Sequence, residues 1–121
     1  MNEIRKKVTQ LIALNPSDDK TFEGFEERMA KQKILMDELD SLAKEKKTHI
    51  GRIIRRPFAD SYAYYVVSDV KEERNEIQVR WINYCDGWQD DYFGSGGHFQ
   101  LDRIKSMIMT KDEIASMYIN K

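Results

Sequence analysis

Apolar residues recur at helical spacing along the first part of the chain and alternate along the rest. Ile4, Val8, Leu11 and Ile12 fall at i, i+4, i+7 and i+8, which predicts a helix over residues 2–14. Asn15-Pro16-Ser17-Asp18-Asp19 ends it, since proline disfavours helical geometry before it and Ser and Asp favour turns and caps. A second helix is predicted from Thr21 to Lys46, with Phe22, Phe25, Met29, Met36, Leu39 and Leu42 on one stripe, broadened by Ile34 and Leu35. Such a helix spans roughly 40 Å, more than short strands can cover. Its length and seven-residue spacing favour packing against another helix of a second copy. The basic run Lys44–Lys47 complements the negative end of the helix dipole.

The period changes to two after Thr48. His49–Ile54 reads as a strand, as does Ser61–Val70, where Tyr62, Tyr64 and Val66 share one face and Ala63, Tyr65 and Val67 the other. Both of those faces are apolar or aromatic, so this strand is expected at the centre of a sheet covered on both sides. Lys71–Asn75 is a charged hairpin loop, and Ile77, Val79 and Trp81 alternate with Gln78, Arg80 and Ile82 in a half-exposed strand. A short pair near Asp91–Phe93 and His98–Leu101 follows, then a strand at Ser106–Met109. Thr110 and Glu113 have capping-box spacing and open a last helix, Lys111–Ile119. The expected fold is α+β: two N-terminal helices, then a small antiparallel SH3-like β-barrel or curled sheet, and a short C-terminal helix. The domain division is a helical oligomerisation arm, 1–48, and a small β domain with the C-terminal helix, 49–121.

Composition narrows the class. Of 121 residues, 40% are hydrophobic and 34% charged, the range of an ordinary globular chain. No apolar run reaches the roughly 20 residues of a spanning helix, and the polar first ten residues do not resemble a signal peptide, so a cytoplasmic location is expected. A single cysteine cannot form an internal disulfide. A net charge of −1 argues against a DNA or RNA partner held by bulk electrostatics. A β domain of roughly 70 residues buries only about 60% of its unfolded surface, which gives the helices reason to add a partner.

Candidate chemistry lies in Arg55–Leu101, which holds most of the aromatic residues and four of the six glycines. Cys85 with His98 or His49 lacks any nucleophile signature, and Asp86, Asp90, Asp91 and His98 lack the spacing of a calcium loop. No catalytic residue, metal or cofactor is assigned. Gly94-Ser95-Gly96-Gly97 reads as a flexible hairpin turn, with an anion nest of consecutive amide N–H groups as the alternative; it does not open a helix, so it is neither a P-loop nor a dinucleotide fingerprint. Phe58, Tyr62, Tyr64, Trp81, Trp88, Tyr92 and Phe93 exceed what so small a core needs. Flat rings beside Arg52, Arg55, Arg56 and Arg103 suit stacking of a purine, worth roughly 1–3 kcal/mol per base, and clamping of phosphates.

Two blocks, Pro57-Phe58-Ala59-Asp60-Ser61-Tyr62-Ala63-Tyr64-Tyr65 and Cys85-Asp86-Gly87-Trp88-Gln89-Asp90, followed by Gly94–Phe99, resemble a phage-associated family, the first family of Thoeris anti-defence sponges. Its members share a P-[VIF]-A-D-G-x-A-x-Y strand start and a G-D-G-[YW]-x-D loop. The resemblance covers about residues 50–108; Ser61 stands where the motif has glycine, and Cys85 where the second motif has its first glycine. It implies a phage-encoded, non-enzymatic protein in the host cytoplasm that sequesters the immune signal glycocyclic ADP-ribose and so blocks Thoeris immunity. It also implies homo-oligomers, dimers or higher up to hexamers, assembled through the N-terminal helices with pockets between chains. The residues expected to bind are Arg56 and Arg103 on phosphates, Phe58, Trp88 and Tyr92 on the base, Asp60 and Asp86 on ribose hydroxyls, with Tyr62 and Asp91 completing the set.

Two rivals stand beside this. One is an SH3- or Tudor-like adaptor gripping a peptide or methylated side chain in an aromatic cage by cation–π contact, a reading the acidic loop favours. The other is a nucleotide-processing enzyme using Asp86, Asp90 and Asp91 with a divalent ion.

Overall fold

The computed structural model describes residues 2–14, 22–58, 61–82 and 96–116. The helices are α1 (Asn2–Ala13), α2 (Phe22–Glu45) and α3 (Lys111–Ser116). The strands are β1 (Ile53–Phe58), β2 (Ser61–Lys71), β3 (Glu76–Trp81) and β4 (Gly96–Gln100), hydrogen-bonded in the order β1-β2-β3-β4 with every pair antiparallel. The fold is α+β: a curled half-barrel antiparallel sheet preceded in the chain by two helices and followed by a short one. No helix among the described residues is long and apolar enough to cross a membrane.

β2 is one of the two inner strands, and Ala63–Val67 are buried on both of its faces, as its two-sided apolar pattern predicts. One face of the sheet, through Ile53, Tyr64, Val66 and Ile82, packs on Ile4, Val8 and Leu11 of α1 and on Met29, Met36 and Leu39 of α2. The helices expected as a separate arm therefore share a core with the sheet. Met29, Met36 and Leu39 of the α2 stripe are covered within the chain because α1 and the sheet lie beside them, a cover that reasoning from strand length alone leaves out. The opposite face gathers Ile54, Ala63, Tyr65, Val67, Ile77 and Val79 around Ile104.

Two polar residues of α2 and its C-terminal end shape the join to the sheet. Gln32 and Asp40 are fully buried on its apolar stripe. Gln32 Nε2 donates to the Leu14 carbonyl just past α1, while Asp40 Oδ1 accepts from Arg52 Nε at 2.9 Å and Oδ2 faces Lys44 Nζ at 3.1 Å as an ion pair without hydrogen-bond alignment. The helix then stops in a left-handed residue, Lys47 (φ 53°). Thr48 N–H donates to Ala43 C=O at 3.0 Å and Lys47 N–H to Lys44 C=O at 3.2 Å, the two bonds of a Schellman ending with lysine where glycine is usual. Residues 49–51 form a turn rather than the expected start of a strand, because Gly51 is left-handed (φ 94°) and β1 begins only at Ile53.

The far end of the sheet closes by a seam. A 3₁₀ turn, Leu101–Ser106, carries Ile104 into the core. The strand expected at Ser106–Met109 shrinks to one bridge, Ile54 to Ile108, flanked by Arg55 N–H to Met107 C=O at 3.0 Å and Met109 N–H to Ile53 C=O at 2.9 Å. The 3₁₀ turn takes up the residues that a longer strand would need. Lys71–Asn75 is a hairpin connection as expected, built as a 3₁₀ turn ending in left-handed Asn75. Gly96 and Gly97 pair with Arg80 and Val79 in the ladder, so that half of the glycine segment is strand and not turn. Gly94, Ser95 and the expected strand at Asp91–Phe93 lie outside the described residues, as does the end of the last helix.

Two glycine exchanges are expected to move stability in opposite directions. A Cβ on Gly51 would stand 3.1 Å from Ile4 Cγ2 and 3.3 Å from Leu39 Cδ2 on a backbone that side chains rarely adopt, so Gly51→Ala should cost about 1–3 kcal/mol. Lys47→Gly removes a left-handed strain and should gain about 1 kcal/mol. Urea unfolding midpoints read both.

Candidate functional site

Beyond the core, β1 and β2 run on as a two-stranded rim, with Pro57 opposite Tyr62 and Phe58 opposite Ser61. Consecutive residues of a strand point to opposite faces, and Arg55 and Arg56 accordingly meet different surroundings. On the helix side, the Arg55 guanidinium lies 4.3 Å from the centroid of the Tyr62 ring, and its Nη2 donates to Glu113 Oε2 at 2.6 Å. Tyr62 is 37% exposed and leans on the buried Tyr64, ring centroids 6.3 Å apart. Glu113 is fixed in turn by the capping box of α3. Its Oε1 accepts from Thr110 N–H at 2.9 Å, while Thr110 Oγ1 accepts from Glu113 N–H at 3.1 Å.

On the other face the Arg56 guanidinium lies 5.3 Å from the centroid of the Phe99 ring. Phe99 meets Tyr65 edge-on, centroids 5.4 Å apart. Arg56 is half-buried, and among the described residues no carboxylate pairs with it. Burial pushes the Tyr65 hydroxyl above its ordinary range, offset in part by the Arg56 charge. A cation held only by π faces keeps its N–H fork for an acceptor from outside. Arg52, by contrast, is tied to Asp40.

The nine residues expected to bind fare differently. Arg56 and Tyr62 both reach the rim, on opposite faces. Arg103 is exposed on the 3₁₀ turn before the seam, and among the described residues no contact joins it to either. Phe58 closes β1 at the rim. Asp60, Asp86, Trp88, Asp91 and Tyr92 lie outside the described residues, as do Cys85 and Asp90. Among the described residues no group of His, Cys, Asp or Glu could hold a metal. Sequence reasoning names Arg55 among the possible phosphate clamps and Glu113 only as a helix cap, and gives Phe99 no role at the rim; the alternation of β1 separates the two arginines, but the register that brings Phe99 and Glu113 to them is a tertiary result.

Hollows of about 360 Å³, beside Lys7, Ser41 and Lys111, and about 410 Å³, beside Leu14 and Ile34, lie on the helical side rather than at the rim. One of about 260 Å³ borders Phe99, between Arg74 and Gln100. No protein-family model matches the chain, and no curated protein or solved structure matches it.

The Thr110 amide above all holds the Glu113 carboxyl below its ordinary range; burial opposes it, and the Arg55 charge and the Thr110 hydroxyl add smaller lowering effects. A carboxyl whose folded value is depressed contributes stability above its unfolded value and loses it as pH falls through the folded one. Glu113→Gln keeps a capping side chain but drops the charge. The stability gap between wild type and this variant should be widest near neutral pH and close as pH falls below the carboxylate range, measured by urea unfolding across pH.

Proposed function

We propose that this protein is a phage-encoded, non-catalytic binder of the host cytoplasm that sequesters a cyclic ADP-ribose-type signal, glycocyclic ADP-ribose, and thereby blocks Thoeris immunity. The observation that carries the reading is Arg56, a half-buried guanidinium held at the rim by Phe99 with no acid opposing it among the described residues. A fork of that kind matches phosphate oxygens, and the neighbouring rings supply flat apolar surface. The Asp60 and Asp86 loops adjoin the strand ends in sequence, where ribose hydroxyls would be met. Sequestration needs slow release and no turnover. Enclosure between two chains buries more of a ligand than an open groove can, which slows dissociation, so the reading includes a homo-oligomer assembled through the N-terminal helices.

A specific observation favours a second reading, the aromatic-cage adaptor. Tyr62 and Glu113 already hold a cation, the chain's own Arg55, in the ring-plus-carboxylate geometry that recognises cationic side chains. The two readings part in one calorimetric comparison. Titration with glycocyclic ADP-ribose isomers should give tight binding, return of unaltered ligand after heating, and no response to lysine- or arginine-rich peptides. Arg56→Ala should weaken binding about 10- to 100-fold, the loss of a charge-assisted bond of about 1.5–3 kcal/mol. Recovery of chemically altered nucleotide, or binding of peptides with indifference to nucleotides, would overturn the proposal.

A further inference from the structure

Tyr65 carries a polar group that the core does not use. The residue is 4% exposed, and a tyrosine hydroxyl so enclosed ordinarily finds a hydrogen-bond partner. Among the described residues this one has none.

The sheet register places that hydroxyl beside Arg56. Arg56 pairs with Ala63 and Ile54 with Tyr65, so Arg56 and Tyr65 are diagonal neighbours on one face, within reach of long and aromatic side chains. Ala63, opposite the arginine, ends in one methyl group and puts no bulk between guanidinium and phenol. A third group comes from the far edge. β1 and β4 are the outermost strands, yet the Arg56 guanidinium lies 5.3 Å from the Phe99 ring centroid. The Tyr65 ring meets the same ring at 5.4 Å and 73°. Contact between the two edges requires the sheet to curl around this face, so Arg56, Tyr65 and Phe99 share the concave side of the half-barrel. Trp81, opposite Tyr65 on β3, packs against the same cluster.

Two donors therefore stand at one place. Arg56 offers a planar N–H fork and Tyr65 a single O–H, and among the described residues neither meets an acceptor of the chain. The charge of Arg56 acts on the phenol, opposing the burial that pushes its ionisation up. Converging donors of which one is cationic define a site for an oxyanion. A cationic guest would meet Arg56 head on.

We infer that the Tyr65 hydroxyl is a phosphate-binding donor that works together with Arg56 on the concave side of the half-barrel. The inference rests on the proposed reading of Arg56 as a phosphate clamp, and adds to it a residue buried in the sheet. Arg56 supplies the charge; Tyr65 supplies a fixed direction, because its ring is held by Phe99 and Trp81.

Calorimetric titration of the full chain with inorganic pyrophosphate tests it, beside spectrophotometric titration of tyrosinate, with Tyr65→Phe supplying the difference spectrum. Circular dichroism checks the fold of each variant. Arg56→Gln should weaken pyrophosphate binding about 10- to 100-fold, and Tyr65→Phe, which keeps the ring, about tenfold. A purely structural tyrosine would not respond to the anion. Pyrophosphate should raise the pH at which Tyr65 ionises, since the bound anion disfavours a further negative charge and engages the phenol proton. Arg56→Gln should raise that pH without any ligand and remove the response to pyrophosphate. If Tyr65→Phe binds pyrophosphate like wild type while Arg56→Gln does not, the inference falls and the clamp stands. Wild type that ignores pyrophosphate would overturn both. Tyr65-dependent binding of pyrophosphate with no response to glycocyclic ADP-ribose would sustain the inference and remove the ligand named above.

Discussion

The joint between α2 and β1 is the constraint on which the rest of the molecule turns. Asp40 is wholly buried, and a buried carboxylate is tolerated only when paired and hydrogen-bonded. Its partner, Arg52, stands immediately before β1, so that satisfying the charge fixes where the first strand departs from the helix. Gly51 lets the backbone turn there while lying against Ile4 and Leu39. Its N–H and the Val67 N–H then lock the turn onto β2, through Val67 C=O at 2.8 Å and Arg52 C=O at 3.0 Å. Helix, turn and inner strand are thus held by one short piece of chain, and the rim inherits its orientation from it.

From that orientation follows the division of labour between two neighbouring arginines. Arg55 is turned toward α3, where Glu113 neutralises it, and Arg56 toward the opposite face, where the Phe99 ring receives it and, among the described residues, no carboxylate pairs with it. One guanidinium ties the C-terminal helix to the sheet, and the other has no carboxylate partner among the described residues. Stacking on Phe99 also keeps the Arg56 side chain from roaming, so less order has to be imposed when an acceptor arrives.

Much of the fold is legible in the residues because the patterns are local. The α1 stripe, the two-sided burial of β2, the alternation of β3 and the Thr110–Glu113 capping box each need only a few consecutive positions, and all are present. The features that differ depend on partners distant in sequence. The α2 stripe looks free until α1 is laid beside it, and residues 49–51 look like strand until Gly51 adopts a positive φ against Leu39. Ser106–Met109 looks like strand until Ile104 claims the turn before it. The rim follows the same division. Alternation sends Arg55 and Arg56 apart, whereas Phe99 and Glu113 arrive by sheet register and by the seam, which no local pattern encodes.

The seam itself has a consequence for the order in which the molecule loosens. β2 is bound to β1 over Ser61–Val66 and to β3 over Tyr65–Lys71, while the half-barrel is joined edge to edge by a single bridge and its two flanking amides. Free energies of local opening follow such differences in bonding. The hoop therefore parts at its weld before any stave breaks, and the segment carrying Glu113 lifts away from Arg55 while the helices still grip β2. Partial unfolding would thus unmask a second arginine at the rim and leave the first in place.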